Sequence, residues 1–404
     1  MRLFAFQGLR YARSASEAGA LAAPPYDQIP VEAAADWHAL SPYHFTHLTR
    51  PVAADEDDAY RRAARLHADW LDAGVLTRDE APRLYLYRIR LAAGGERLGV
   101  MGLVGQEPDD NGVIRPHEQT LAKPLADRLA LLEAMRVDLE PILLLVDDGG
   151  RLDQMVRDDL AGAAVLVRHT DEAGHVHELA AVEDPARIAA YRDLVAAPTS
   201  AIADGHHRYK VSQRFAANHP DAPPAARTKL SVVTSLAAAG LTIDPIHRAL
   251  LDPAGLDVAR DLAIEVIPGS ARDGAAFAQK VATTAQPAIG VWCAHREPEI
   301  WRFAAGEGPR QLAVGILQLD VLAAMGLGPE SASDGTVLYR SNPDALAALL
   351  REGKAGVGFF LPPMSPAEFG EAISKGEMLP PKSTRFLPKV VSGLVWAAHD
   401  SELG

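Results

Sequence analysis

The stretch Ile202-Ala203-Asp204-Gly205-His206-His207-Arg208-Tyr209-Lys210 decides how the chain is read. An apolar strand over residues 199–203 runs into Asp204-Gly205, and an amphipathic helix then starts with two histidines and an arginine in its first turn. At a helix start the free backbone N–H groups and the positive end of the macrodipole point outward. Gly205 lets the chain turn sharply and lets an anion oxygen approach the main chain, while Arg208 can grip the same anion through two N–H donors. Asp204 is expected to act otherwise: to cap the helix, to orient His206 or His207, or to serve as a base or metal-side ligand.

At 404 residues the chain should divide into more than one lobe. An apolar content of 48% and a charged content of 23% are those of an ordinary globular protein. No apolar run is long enough to span a bilayer, and the start lacks the apolar core of a secretory signal, so the expected location is the cytoplasm, with no membrane partner. A net charge of −13 argues against nucleic acid as a partner. The single cysteine, Cys293, lies in an apolar run and is expected to pack in a buried strand; no metal site is read from cysteines.

Strand and helix signals alternate along the chain, which predicts an α/β fold with α+β as the alternative. The first lobe is expected over residues 1–251 and the second, also α/β, over residues 252–404. Ser41 to Arg50 alternates like a strand, and residues 57–73 form an amphipathic helix with Tyr60, Ala64, Leu66, Trp70 and Leu71 inward. Residues 83–91 and 97–104 make a hairpin about Gly94-Gly95, and residues 163–168 and 175–182 make another. Glu140 to Val146 suits a strand covered on both faces. His175 and His177 have a spacing compatible with a metal, but without a third ligand the reading is an exposed strand.

Two further clusters carry charge on proline-stiffened loops. Arg115, His117 and Glu118 follow one another around Pro116, and Lys123, Asp127 and Arg128 lie around a second break at Pro124. Near the end, Pro380-Pro381-Lys382-Ser383-Thr384 and Pro388-Lys389 hold basic and hydroxyl groups on an extended loop suited to phosphate. With Pro24-Pro25-Tyr26-Asp27, Ala203 to Tyr209 and Asp244-Pro245-Ile246-His247-Arg248, these clusters resemble the domain of unknown function 1015 family over almost the whole chain. One small departure is Met378-Leu379, where a Met directly before the two prolines is expected. The Asp-Gly-His-His-Arg piece is also similar to the Gly-x-x-Arg phosphate motif of the ParB and sulfiredoxin superfamily. That likeness implies a mixed-sheet body with a ParB/sulfiredoxin-like core and a C-terminal α/β lobe whose Pro-Pro-Lys-Ser-Thr loop returns to the site. The superfamily includes partition proteins, sulfiredoxins and a kinase of free serine; sulfiredoxin chemistry is set aside because no cysteine stands beside Arg208. The family resemblance also implies a link to serine metabolism.

The expected function is phosphoryl transfer, as a phosphatase or kinase, on a small phosphorylated metabolite such as O-phosphoserine or a nucleotide. In this reading Asp204, His206, His207 and Glu118 are the catalytic candidates. Gly205, Arg208, Arg115, His117, Lys123, Arg128, Lys382, Ser383, Thr384 and Lys389 are the phosphate-binding ones. Mg2+ is left open as a cofactor, as are the substrate, the direction of transfer and the oligomeric state. The alternative is a non-catalytic nucleotide- or phosphometabolite-binding regulator using the same residues. The three clusters are expected to converge in space.

Overall fold

The computed structural model describes the chain except residues 53–55, 109–111, 119–121, 197–199, 295, 329–330 and 332–333; the side chains of 56–58 and 122–124 are likewise outside the description. The chain forms two compact units. One comprises Met1–Pro116, Thr120–Leu241 and Pro388–Gly404, and the other His117–Gln119 and Thr242–Leu387.

The larger unit is built on a mixed sheet. Its strands are β1 (Leu3–Phe4), β2 (Leu84–Arg90), β3 (Glu96–Gly105), β4 (Ile114–Arg115), β5 (Ile142–Val146), β6 (Val167–Thr170), β7 (Val176–Val182), β8 (Ser200–Asp204) and β9 (Thr228–Ser235). The order is β4-β8-β5-β9-β3-β2-β7-β6, with β1 also on β3. β4 with β8 and β9 with β5 are parallel pairs, and the others are antiparallel. β5 is buried at all of its residues, as its unbroken apolar run requires. Burying each of its Leu, Ile and Val side chains contributes about 1.5–3 kcal/mol. Leu84, Leu86, Leu98, Val100, Leu144, Ile202 and Val233 turn to one face and form the main core with Leu152, Val156, Ile188 and Tyr191. The second face carries Leu103, Leu143, Leu145 and Val232 beside Tyr87, Arg97 and Thr234, all buried, and bears the site described below.

The helices of this unit are α1 (Glu56–Asp72), α2 (Ala122–Met135), α3 (Arg151–Leu160), α4 (Pro185–Ala196) and α5 (His206–Asn218). Among its described side chains, α1 buries Ala59, Ala63, His67 and Trp70. The inward stripe is thus rotated from the expected one, and Ala64, Leu66 and Leu71 are only half-buried. Pro124 does not break α2 but lies in its first turn, where its missing N–H costs nothing. Residues 41–50 are not a strand. They form turns and a short helix, Thr46–Thr49. Two histidines hold it: His38 Nε2 meets the Thr46 and Arg50 carbonyls at 3.2 and 3.1 Å, and His47 Nε2 meets the Ser41 carbonyl at 3.0 Å. His177 is fully buried rather than exposed, bonded to Tyr87 Oη at 2.6 Å and to Asp171 at 3.1 Å.

The smaller unit has an antiparallel sheet of β11 (His247–Leu250), β12 (Glu265–Pro268), β13 (Ala288–Cys293), β14 (Glu299–Arg302), β15 (Val337–Arg340) and β16 (Val357–Phe360), ordered β12-β14-β13-β16-β11-β15. A separate pair joins β10 (Thr242–Asp244) to β17 (Arg385–Leu387). Helices α6 (Gly274–Thr283) and α7 (Pro343–Arg351) cover one face of the sheet through Phe277, Val281, Leu346 and Leu350. β11 is hydrogen-bonded on both sides within this sheet and belongs to the smaller unit, whose longer segment is Thr242–Leu387. Cys293 closes β13 and is only half-buried. Among the described residues, no helix is long and apolar enough to cross a membrane.

Candidate functional site

In the larger unit β8 ends at Asp204, and Gly205 turns the chain into α5 with φ of 96°. Glycine is required there twice over, since a Cβ would stand 2.5 Å from Ile142 Cγ2 and the φ is one that side chains resist. The helix N-cap is Gly205, without a side-chain cap. Asp204 therefore does not cap α5. Its Oδ2 accepts from Arg208 Nη2 at 2.6 Å, and its Oδ1 accepts from Lys389 Nζ.

Asp204 is thus a carboxylate between two cations. Burial alone would push its carboxyl up, but the charges of Lys389 and then Arg208 outweigh burial and hold it well below the usual carboxylate range. Arg208 is itself buried, and its Nη1 donates to the Pro141 carbonyl at 2.6 Å. Burial would lower its pKa, but Asp204 and Glu140 hold it above the ordinary value. Two of the donors expected to grip phosphate are therefore bonded within the protein.

The carboxylate of Glu140 ties further motifs to this place. Its Oε1 accepts from Tyr26 N at 2.9 Å and from Ser392 Oγ at 3.2 Å, which brings the Pro-Pro-Tyr-Asp segment and the segment after Lys389 together. Burial pushes Glu140 up, against the pull of Arg208 and Arg128. Arg128 lies over the Tyr26 ring at 4.2 Å and donates to Asp127 and to the Thr49 carbonyl, each at 2.7 Å. A cavity of about 50 Å³ adjoins Arg208, lined among others by Arg128, Asp138, Glu140, Lys229 and His399. Its three cations outnumber its two carboxylates, and burial draws His399 down to about 4, so that it stays neutral at pH 7. Arg115 stands beside Ala201 in the parallel β4–β8 pair, with its Nε on the Gly112 carbonyl at 3.3 Å. His206 is buried in the first turn of α5, where His207 also lies. Lys123 falls in α2, but its side chain lies outside the described residues.

The smaller unit gathers a second polar set. His117 Nε2 meets Thr384 Oγ1 at 2.8 Å, and its ring stands edge-on to Phe369 at 5.0 Å. Ser383 Oγ donates to the Pro380 carbonyl at 2.5 Å, and Lys382 N donates to Glu118 Oε2 at 3.3 Å. Lys382 itself has φ of 61°, in the left-handed region that side chains avoid. Arg248 holds it there, since its Nη2 donates to the Lys382 carbonyl at 3.1 Å and to the Pro381 carbonyl at 3.3 Å. Arg248 is fully buried, and burial draws it down to about 10. The Lys382 side chain is exposed.

Of the expected residues, Asp204, Gly205, Arg208 and Lys389 come together in the larger unit, with Arg128 linked to them through Tyr26 and Glu140. His117, Glu118, Lys382, Ser383 and Thr384 come together in the smaller one. Sequence reasoning missed Glu140, read only as the start of a strand, and Lys229, whose Nζ donates to Asp138 and to the Glu140 carbonyl. Arg248 enters the sequence reading only as the end of the Asp244-Pro245-Ile246-His247-Arg248 motif. A charged residue in an apolar run was the available signal for Glu140. Among the described residues, no group of three or more His, Cys, Asp or Glu is placed to hold a metal.

No curated protein matches the chain. Among solved structures, a conserved hypothetical protein from Pyrococcus furiosus is 15% identical with a TM-score of 0.36, over 68% of this chain and 87% of that one. A free serine kinase in complex with AMP is 15% identical with a TM-score of 0.38, over 68% and 84%. SbnI with a C-terminal truncation, from Staphylococcus aureus, is 14% identical with a TM-score of 0.38, over 72% and 84%. Likenesses this low carry no inference about this chain. The family model described as a protein of unknown function (DUF1015) matches residues 3–265, well over half of the chain, which therefore belongs to the DUF1015 family.

Proposed function

We propose that the Asp204 region binds the phosphate of a small phosphorylated metabolite or nucleotide and transfers its phosphoryl group, with O-phosphoserine as the first candidate. The observation that carries this reading is the Asp204 carboxylate set between Arg208 and Lys389 at a glycine turn into α5. Phosphoryl transfer needs positioning and charge neutralisation more than covalent chemistry. An acceptor oxygen, of water or of a substrate hydroxyl, forms the new P–O bond as the old one breaks. The acceptor's proton leaves to a base, and the leaving oxygen keeps the electron pair.

In this reading Lys389 neutralises phosphate charge, and Asp204 and Arg208 fix its place. A carboxylate held this acidic is a weak base, so His206 or His207 is the acid–base group and Asp204 orients it or would help to hold a Mg2+, which would supply charge neutralisation. Arg115 and Arg128 add positive potential, and Lys123 at the start of α2 is assigned to the same task. Lys382, Ser383 and Thr384, held by Glu118, His117 and Arg248, are a second phosphate-contacting set in the smaller unit. The larger unit is assigned a ParB/sulfiredoxin-like core around β8 and α5.

The test is phosphate release and exchange by the purified protein on O-phosphoserine, ATP, ADP and CTP, with and without Mg2+, beside Lys389→Met and Arg208→Ala. Turnover that falls at least about 100-fold in Lys389→Met is expected, the loss of roughly two charge-assisted contacts. Unchanged turnover in both variants refutes the assignment. Ligand-induced stabilisation without product, lost in Lys389→Met, would instead establish the regulatory binding protein.

A further inference from the structure

The face of the large sheet opposite its main core holds a further buried cation whose terminal nitrogens have no partner among the described residues. Arg97 lies on β3 two residues before Gly99, and therefore on the same face, and Gly99 pairs with Tyr87 on β2. On the other side Val233 pairs with Val100, which sets Thr234 beside Gly99. A Cβ on Gly99 would accordingly fall 2.7 Å from Thr234 Oγ1. From Thr234 the row continues through Leu145 on β5 to Ala201 on β8, the strand that ends at Asp204. Arg97 is 2% exposed. Its two terminal nitrogens and Thr234 Oγ1 are buried with no hydrogen-bond partner among the described residues.

The titratable groups whose charges act on Arg97 are Tyr87, Asp204 and Asp153, and none of them bonds its terminal nitrogens. Burial draws the guanidinium down to about 10, so it remains a cation at neutral pH. Asp204 offsets the burial only in part, and its carboxylate is bonded to Arg208 and Lys389. An idle, buried guanidinium is strongly unfavourable, and native proteins seldom keep one without a partner.

The segment Lys389–Val391 is tied to two strands of this same face. Lys389 reaches Asp204 at one end, and Val391 N donates to Tyr87 Oη at 3.3 Å at the other. Two extended residues span roughly 7 Å, whereas β8 and β2 are four strand spacings, about 19 Å, apart. The Lys389 and Tyr87 side chains therefore make up the difference, and the segment runs between the strands on either side of those that carry Thr234 and Arg97.

We propose that Arg97 and Thr234 form an oxyanion subsite beside residues 389–391, which takes a carboxylate or phosphate group of a small metabolite. The two terminal nitrogens of Arg97 receive two oxygens in a fork, and the Thr234 hydroxyl donates to the group. The subsite stands on the environment of Arg97 and does not require turnover. The test is calorimetric titration of the full chain with inorganic phosphate and, separately, with acetate, against acetamide as the neutral control at matched ionic strength. Variants are Arg97→Met and Thr234→Val.

The wild type should bind one of the two oxyanions saturably, and which one names the group. Arg97→Met should bind it at least tenfold more weakly while its ligand-free Tm stays equal to wild type or rises, since an unmatched cation is replaced by a packed thioether. Thr234→Val should weaken binding severalfold at unchanged Tm, and it serves alone if Arg97→Met fails to fold. No saturable binding by the wild type, or binding untouched by these substitutions, overturns the subsite. Phosphate release lost in Lys389→Met but oxyanion binding intact in Arg97→Met sinks the subsite alone. Oxyanion binding lost in Arg97→Met in a protein without turnover supports the subsite and sinks only phosphoryl transfer.

Discussion

Replacing Asp204 by Asn keeps the shape of the side chain and removes the charge that Arg208 and Lys389 share. Side-chain exposure is 18% for Asp204, 6% for Arg208 and 17% for Lys389, so water replaces the lost carboxylate poorly. Removing one partner from a buried pair costs about 3–5 kcal/mol, because the opposite charge is left stranded. Here two cations are stranded, although Arg208 keeps the Pro141 carbonyl. Asp204→Asn should therefore cost about 3–5 kcal/mol. Lys389→Met leaves Asp204 bonded to Arg208 and should cost only the one charge-assisted contact, about 1.5–3 kcal/mol. The double variant should cost at least about 1 kcal/mol less than the sum, since both substitutions remove the same contact. Urea unfolding followed by fluorescence suits the measurement, because Trp37, Trp70 and Trp396 belong to the larger unit. The sign of the pH dependence is fixed by the depressed carboxyl. Stability from Asp204 is present above its unfolded value near 4 and is lost as pH falls through the folded value, so wild type and Asp204→Asn should converge towards pH 2. Additive single costs, or an Asp204→Asn loss below about 1 kcal/mol, would show that Asp204 is not a shared acceptor.

Gly205→Ala meets both the positive φ and Ile142, and should lower stability by about 2 kcal/mol or more in the same urea assay. Lys382→Gly relieves a left-handed lysine and should raise stability by about 1 kcal/mol; if phosphate-ligand binding by titration is unchanged as well, Lys382 is no ligand contact. Burial draws His44, His67, His247 and His399 down to about 4. Groups with a lowered folded value cost stability as pH falls from about 6.5 towards 4, so each should take away about 2 kcal/mol by pH 5. Thermal melts at pH 7 and pH 5 should show His67→Gln losing less over that interval than wild type.

Where local chemistry decides, the sequence was a sufficient guide. The unbroken apolar run of β5 could only be a strand covered on both faces, and the hairpin of β2 and β3 follows from two β-rich arms about Gly94-Gly95. Residues 41–50 misled because alternation there mimics a strand. What decides the turn is a set of imidazole bonds to main-chain carbonyls, which no periodicity records. The site was legible in residue type but not in role. Asp204 was visible as a special carboxylate, yet its partner Lys389 is 185 residues away, and an Asp before a helix reads locally as a cap. Arg208 likewise looked free for a ligand because the Pro141 carbonyl that holds it, 67 residues earlier, has no side-chain signature.

The interleaving of the two units bears on how the protein is made. Residues 242–387 interrupt the larger unit, so Lys389 leaves the ribosome 185 residues after Asp204, roughly 10–40 s later at about 5–20 residues per second. For that interval β8 and α5 are synthesised but the carboxylate at their junction has one cation instead of two. The inserted unit, whose residues from Thr242 onward are contiguous, has time to fold first. The Asp204 carboxylate gains its second cation only afterwards, when Lys389 has been made.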